Sequence, residues 1–189
     1  MADVEVVKRL VAYDRLAFDS FLRGLQQHGW DESAKNREIG HGSMKNTLVH
    51  ILNVHEWLLV GICQGKREVW DAPGHPPGSV HSWADLRRYR NQVWEEVDPL
   101  MASLTGEKLT RKLRVPLWTG TWLPGKHALQ DVVFQASFEQ AHHLGEILAV
   151  FRQMDWPPPP NDVATNPRRL KGGYRLRPDS PTRCISRHP

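Results

Sequence analysis

Two side chains one helical turn apart, Glu139 and His143, interrupt an otherwise apolar stripe late in the chain. The stripe runs Leu129, Val132, Val133, Ala136 and resumes at Ile147, Val150 and Met154, and its spacing carried across the gap lands on these two residues. Residues i and i+4 share a helix face, so the pair is expected on the side that otherwise faces the core. An ionised carboxylate there needs a partner, because its desolvation is expensive. A divalent metal ion fits, since a Glu and a His at this spacing bind it from one side. An ion pair between the two, or a helix rotated to expose Glu139, satisfies the same pattern. A metal held in a helical core also needs a ligand from a facing helix. The segment Leu48–Leu59 offers His50 and His55. It is apolar nearly all round, so periodicity does not choose between them. His55 lies nearer the centre of the stripe Met44, Ile51, Leu58, Ile62, and His50 lies at its edge above Val54 and Trp57.

The elements that must position these groups are helical. Asp3 is an N-cap candidate for a helix over roughly 4–28, ended by Gly29, with the stripe Val7, Leu10, Val11, Ala17, Phe18, Phe21, Leu25. Ser43 caps a second, roughly 44–64, ended by Gly65. Ser82-Trp83-Ala84-Asp85 has capping-box spacing and opens a third, to about Leu104. Leu113 to Trp122 is short, Trp-rich and broken by Gly120, which predicts a small hairpin or irregular loop. The fourth helix follows Pro124-Gly125 and runs to about Met154. The expected fold class is all-α, an antiparallel four-helix bundle with that hairpin or loop before the last helix and an extended C-terminal tail.

The 189 residues carry a formal net charge of +4, and its distribution matters more than its size. Residues 156–189 hold seven basic side chains against Asp162 and Asp179, which is +5 and leaves −1 on 1–155. Eight of the 14 prolines also lie beyond Trp156. Such a segment buries too little apolar surface to offset its ordering entropy, so the expected division is a bundle over 1–155 and a Pro/Arg-rich tail over 156–189. No apolar run is long enough for a membrane span, and acids precede any apolar run at the N-terminus, which argues against a secretory leader. Cys63 and Cys184 form no disulfide framework. The expected setting is cytoplasmic. No nucleic-acid-binding signature is present; the Arg168–Arg177 stretch is suited at most to nonspecific phosphate contact.

Three segments carry a family resemblance. Leu48-Val49-His50-Ile51 resembles the second helix of the DinB-like (DinB/YfiT) metal-binding bundles. Glu139-Gln140-Ala141-His142-His143-Leu144-Gly145-Glu146-Ile147 resembles their fourth-helix motif, His-x3-His-Arg-Gly-Gln/Glu-Ile. Phe151-Arg152-Gln153-Met154-Asp155-Trp156-Pro157, followed by Asp162, is similar to the close of that domain. The likeness spans about residues 5–162. It implies a divalent metal held by one histidine of the second helix and two of the fourth, which become His50, Glu139 and His143. Glu139 and Leu144 depart from the family's usual His and Arg. Two histidines and a carboxylate suit Zn²⁺ with an open position, or Fe²⁺, Ni²⁺ or Mn²⁺.

The resemblance further implies a thiol-dependent S-transferase acting on a small electrophile, with bacillithiol, mycothiol or glutathione as co-substrate, and a homodimer. Glu146 is the expected nearby base or supporting group, while His142 falls one residue off the ligand face and reads as surface. The same ligands suit a hydrolase, or a bundle that binds metal or ligand without catalysis. Eight tryptophans are many for this length. Trp57, Trp118 and Trp122, with Arg114 as an anion contact, make a candidate substrate pocket, although large aromatics also fill gaps between helices.

Overall fold

A computed structural model describes residues 3–66, 74–117 and 119–159. Helix α1 spans Val4–His28 and begins where Asp3 accepts a hydrogen bond from the Glu5 amide. A five-residue helix α2, Trp30–Ala34, follows directly. Helix α3, Met44–His55, is capped by Ser43, whose hydroxyl accepts from the Asn46 amide at 3.1 Å. Caps of this kind contribute about 1 kcal/mol each. From Glu56 to Ile62 the same helix widens into π-helical turns. Helix α4, Trp83–Ala102, starts at the Ser82 cap, whose hydroxyl accepts from the Asp85 amide at 3.1 Å and donates to the Asp85 carboxylate at 2.8 Å. Helix α5, Gly106–Thr110, is short. Strands β1, Lys112–Leu113, and β2, His127–Ala128, pair antiparallel and lead into α6, Leu129–Gln153.

The protein is therefore all-α, with four long helices and a small hairpin ahead of the last. The structure differs from the expected boundaries in three places. The second helix is not uniformly α-helical, the last begins only once β2 has followed Pro124-Gly125, and among the described residues two short α-helices and a 3-10 turn, Pro77–Ser79, appear in the connections. The hairpin is also longer than Leu113–Trp122. A Pro116–Trp122 bridge closes its tip and the β1–β2 pair closes its base.

The long helices pack in a ring. Helix α1 lies against α6 and α4, and α3 with its π-helical extension lies against the same two. Consecutive long helices α1 and α3 thus stand diagonally, as do α4 and α6. The connections 29–43 and 103–128 must span those diagonals, and both contribute to the site described below. The core they enclose includes Phe18, Phe21, Leu52, Trp94, Ile147 and Phe151, each essentially without solvent exposure. Every such side chain gains about 1.5–3 kcal/mol from burial. Phe21 and Phe151 meet edge to face at 6.4 Å.

Packing continues past the last helix. Trp156 stacks on His28 with ring centroids 3.6 Å apart, and Pro159 lies over Gly24. The remainder of the Arg-rich tail lies outside the described residues, as does Trp118. Among the described residues, no helix is long and apolar enough to cross a membrane.

Candidate metal centre

Helix α6 fills the gap in its apolar stripe with Gln140 and His143, both buried, while Glu139 sits at the edge with its side chain 36% exposed. The 3.6-residue period explains the shift, because the step from Ala136 to the next inward position is four residues here, not three. Gln140 donates through Nε2 to the Asp14 carbonyl of α1 at 2.7 Å. His143 is 7% exposed and points toward α3.

Three imidazoles converge there. His50 comes from α3, His143 from α6, and His41 from the connection ahead of α3. One nitrogen from each lies within 4.8 Å of the other two. The His41 and His50 rings stack at 3.6 Å, and His143 stands edge-on to both, at 4.7 Å from His50 and 5.3 Å from His41. His41 had no signal in the helical pattern, because it sits in a loop where no period applies. Its placement depends on Gly40, whose φ of +45° lies in the left-handed region. A Cβ there would fall 2.5 Å from Glu146 and 2.8 Å from Thr47. Only glycine lets the loop pass this closely over α6 without strain.

Electrostatics suit a metal ligand set. Burial, together with His41 and His143 alongside, holds the His50 pKa down to about 3. Burial and His143 also lower that of His41, against the opposing pull of Glu146 and Glu139. Both rings are thereby kept neutral near pH 7, with a lone pair to offer. Glu146 accepts from His143 Nδ1 at 2.7 Å, which assigns the proton to that nitrogen and leaves Nε2 as the donor atom. The outer oxygen of Glu146 lies 3.6 Å from His142, which stays exposed. Three imidazoles with a carboxylate behind one of them match a divalent-ion site with an open position. The donor chemistry fits the ion.

The model of the DinB superfamily matches residues 12–147, well over half of the chain. The chain belongs to the DinB superfamily. No curated protein matches the sequence. Metal binding is common among DinB proteins, and the histidine cluster of this DinB bundle is able to hold an ion.

Of the ligands that the resemblance implied, His50 and His143 are brought together. Glu139 reaches His143 Nε2 at 3.6 Å but is not within the mutually close set, where His41 stands instead. Its other oxygen accepts from Gln135 at 2.7 Å. His55 is completely buried in the core. Its Nδ1 donates to the Ile51 carbonyl at 2.9 Å, its ring meets Trp94 edge-on, and burial lowers its pKa to about 4. The DinB bundle thus separates the two α3 histidines into a site residue and a core residue.

A cavity of about 440 Å³ opens beside the cluster, with His50 and Glu139 in its wall. Val54, Trp57 and Leu58 line it from α3 and its extension, where the π-helical turns re-aim the side chains, and Val132 lines it from α6. The hairpin closes the remaining side with Val115, Leu117 and Leu123. Trp57 is thus in the pocket as anticipated. Trp122 and Arg114 instead face each other on the hairpin, the guanidinium 4.3 Å from the ring centre, and neither is part of the lining.

Proposed function

We propose that this DinB protein is a metal-dependent enzyme that uses His41, His50 and His143 to hold a divalent ion and the adjoining cavity to hold a small substrate. The observation that carries this reading is the convergence of three imidazoles from separate segments, one of which, His50, also lines a largely apolar pocket. A bound divalent ion supplies a Lewis acid that lowers the pKa of a thiol or water placed in its open position. Glu146 fixes the tautomer and orientation of His143 from behind, and so acts as a positioning residue. Trp57, Leu58 and Leu123 exclude water around the reacting group, which strengthens every charge interaction there. In this reading Glu139, 3.6 Å from His143 Nε2, accepts the proton of an incoming thiol or water.

The finer reading is transfer of a low-molecular-weight thiol to an electrophile, in a cytoplasmic homodimer. Hydrolysis is the second reading. It is favoured by one observation: none of the described lining residues is a Lys or Arg that would receive the carboxylate of an anionic thiol.

Metal analysis separates the ligand sets. His41→Ala, His50→Ala and His143→Ala are each expected to cut zinc affinity at least tenfold, and Glu139→Ala to retain stoichiometric zinc. Second-ligand losses of that order are usual even for supporting residues. Full zinc content in His41→Ala, or loss in Glu139→Ala alone, overturns the assignment. A model electrophile offered to the zinc protein with and without thiol then decides between transfer and hydrolysis.

A further inference from the structure

Along the pocket side of α6, Asp131, Gln135 and Glu139 recur at every fourth residue and all three line the cavity. Eight residues of helix separate the two carboxylates, so the stripe is about 12 Å long. Opposite it stand the apolar side chains of α3 and the hairpin. The remaining polar groups add acceptors. His127 Nε2 donates to the Pro124 carbonyl at 3.1 Å, which leaves its Nδ1 with a lone pair in the neutral ring. The Gln135 amide nitrogen is taken by Glu139. Asp131 spends one oxygen on the Ala128 amide at 3.1 Å and keeps the other. The hairpin arginines are directed elsewhere, Arg111 to the Cys63 carbonyl and Arg114 to Trp122. An ion on the histidines places its charge at the Glu139 end, next to Glu139 and Glu146. Asp131, at the other end, accepts the Ala128 amide in the first turn of α6 and forms no ion pair with any described Lys or Arg.

We infer that the pocket selects a small amphipathic cation: an apolar, ring-sized body against α3 and the hairpin, with an ammonium or protonated amine on the Asp131–Glu139 stripe. This rests on the pocket being the substrate site of the proposed enzyme and names the class of molecule it takes. A carboxylate on the same body meets two acidic residues and no described cation. An uncharged analogue falls between. The acidic rim is partly solvated, so the charge preference is moderate, about twofold to fivefold between amine and alcohol.

The test uses three probes of one shape, 3-phenylpropylamine, 3-phenylpropanol and 3-phenylpropionate, titrated calorimetrically into the full chain in zinc-free and zinc-loaded forms. The zinc-free protein is expected to rank them amine, alcohol, carboxylate. The Asp131→Asn, Glu139→Gln double variant is expected to erase the ranking, because both amides preserve size and Asn still accepts from the Ala128 amide. A carboxylate bound as tightly as the amine by zinc-free protein, a ranking that survives the double variant, or no binding by any probe overturns the inference. If the double variant does not fold, raised salt on the unmodified chain gives the same reading: the preference collapses if charge sets it, and persistence overturns it. Failure of zinc uptake with the ranking intact strikes the metal reading alone. Zinc uptake without the ranking strikes this inference alone.

Discussion

Replacing Asp14 by Asn is expected to stabilise the protein above neutral pH and to change its pH dependence in one window. Asp14 lies on the inward stripe of α1 and is 4% exposed. Ser137 of α6 donates to its Oδ2 at 2.5 Å, and Gln140 donates to its backbone carbonyl. Burial outweighs the Ser137 hydrogen bond and raises the Asp14 pKa from 3.8 to about 7. Between those values the folded chain holds a proton that the unfolded chain has released. Stability therefore falls as pH rises from about 4 to 7 and levels off above, where the full cost of a buried charge is present. A shift of roughly three units corresponds to a ceiling of ~4 kcal/mol, since one unit is ~1.4 kcal/mol. Side-chain relaxation and water entry reduce it. Asn keeps an acceptor for Ser137 and carries no charge. Urea unfolding of both proteins from pH 5 to 8.5 should show the variant gaining steadily up to about pH 7, then a constant advantage. On heating at pH 8 that advantage is about 5–10 °C in Tm for a chain of this size. The difference between the two proteins cancels the buried histidines, whose titration runs the other way. A difference that does not change with pH, or a variant less stable at pH 8, refutes the reasoning.

Two further substitutions probe the frame of the site. His55→Leu should flatten the acid limb of the stability profile. The His55 pKa is depressed from 6.5 to about 4, so the folded state loses stability as pH falls through that interval, by up to ~3 kcal/mol. An unchanged acid limb would show that His55 is not buried neutral. Gly40→Ala should cost about 1–2 kcal/mol, from left-handed strain and from the approach to Glu146 and Thr47, and should weaken zinc binding by moving His41. Unchanged denaturation and zinc titrations would separate Gly40 from the cluster.

Much of the scaffold was readable in advance because helices report themselves locally. Ser43 and Ser82 cap where their hydroxyls can reach an amide three residues on, and the stripes of α1, α4 and α6 follow from a 3.6-residue repeat that needs no partner to be seen. Asp14 fits the stripe of α1 between Val11 and Phe18, and its partner Ser137 lies 123 residues away. The pattern marks the position as inward, but nothing local marks the carboxyl as tolerated there. The rotation of α6 is similar. A difference of one residue separates Glu139 at the rim from Gln140 in the core, and interhelical packing made that choice.

The amino-acid sequence by itself determined the helical architecture, a hairpin or irregular loop before the last helix, the concentration of positive charge beyond Trp156 and, through the family resemblance, His50 and His143 as candidate ligands. Only the tertiary structure brings His41 to them. His41, His50 and His143 share a site because the 29–43 connection crosses a bundle diagonal and Gly40 lets it descend onto α6. His55 lies on the deep side of α3, wholly within the core and away from His41 and His143. Periodicity assigns residues to faces of one element; which faces meet, and which loop closes over them, is set by the packing of all four helices together.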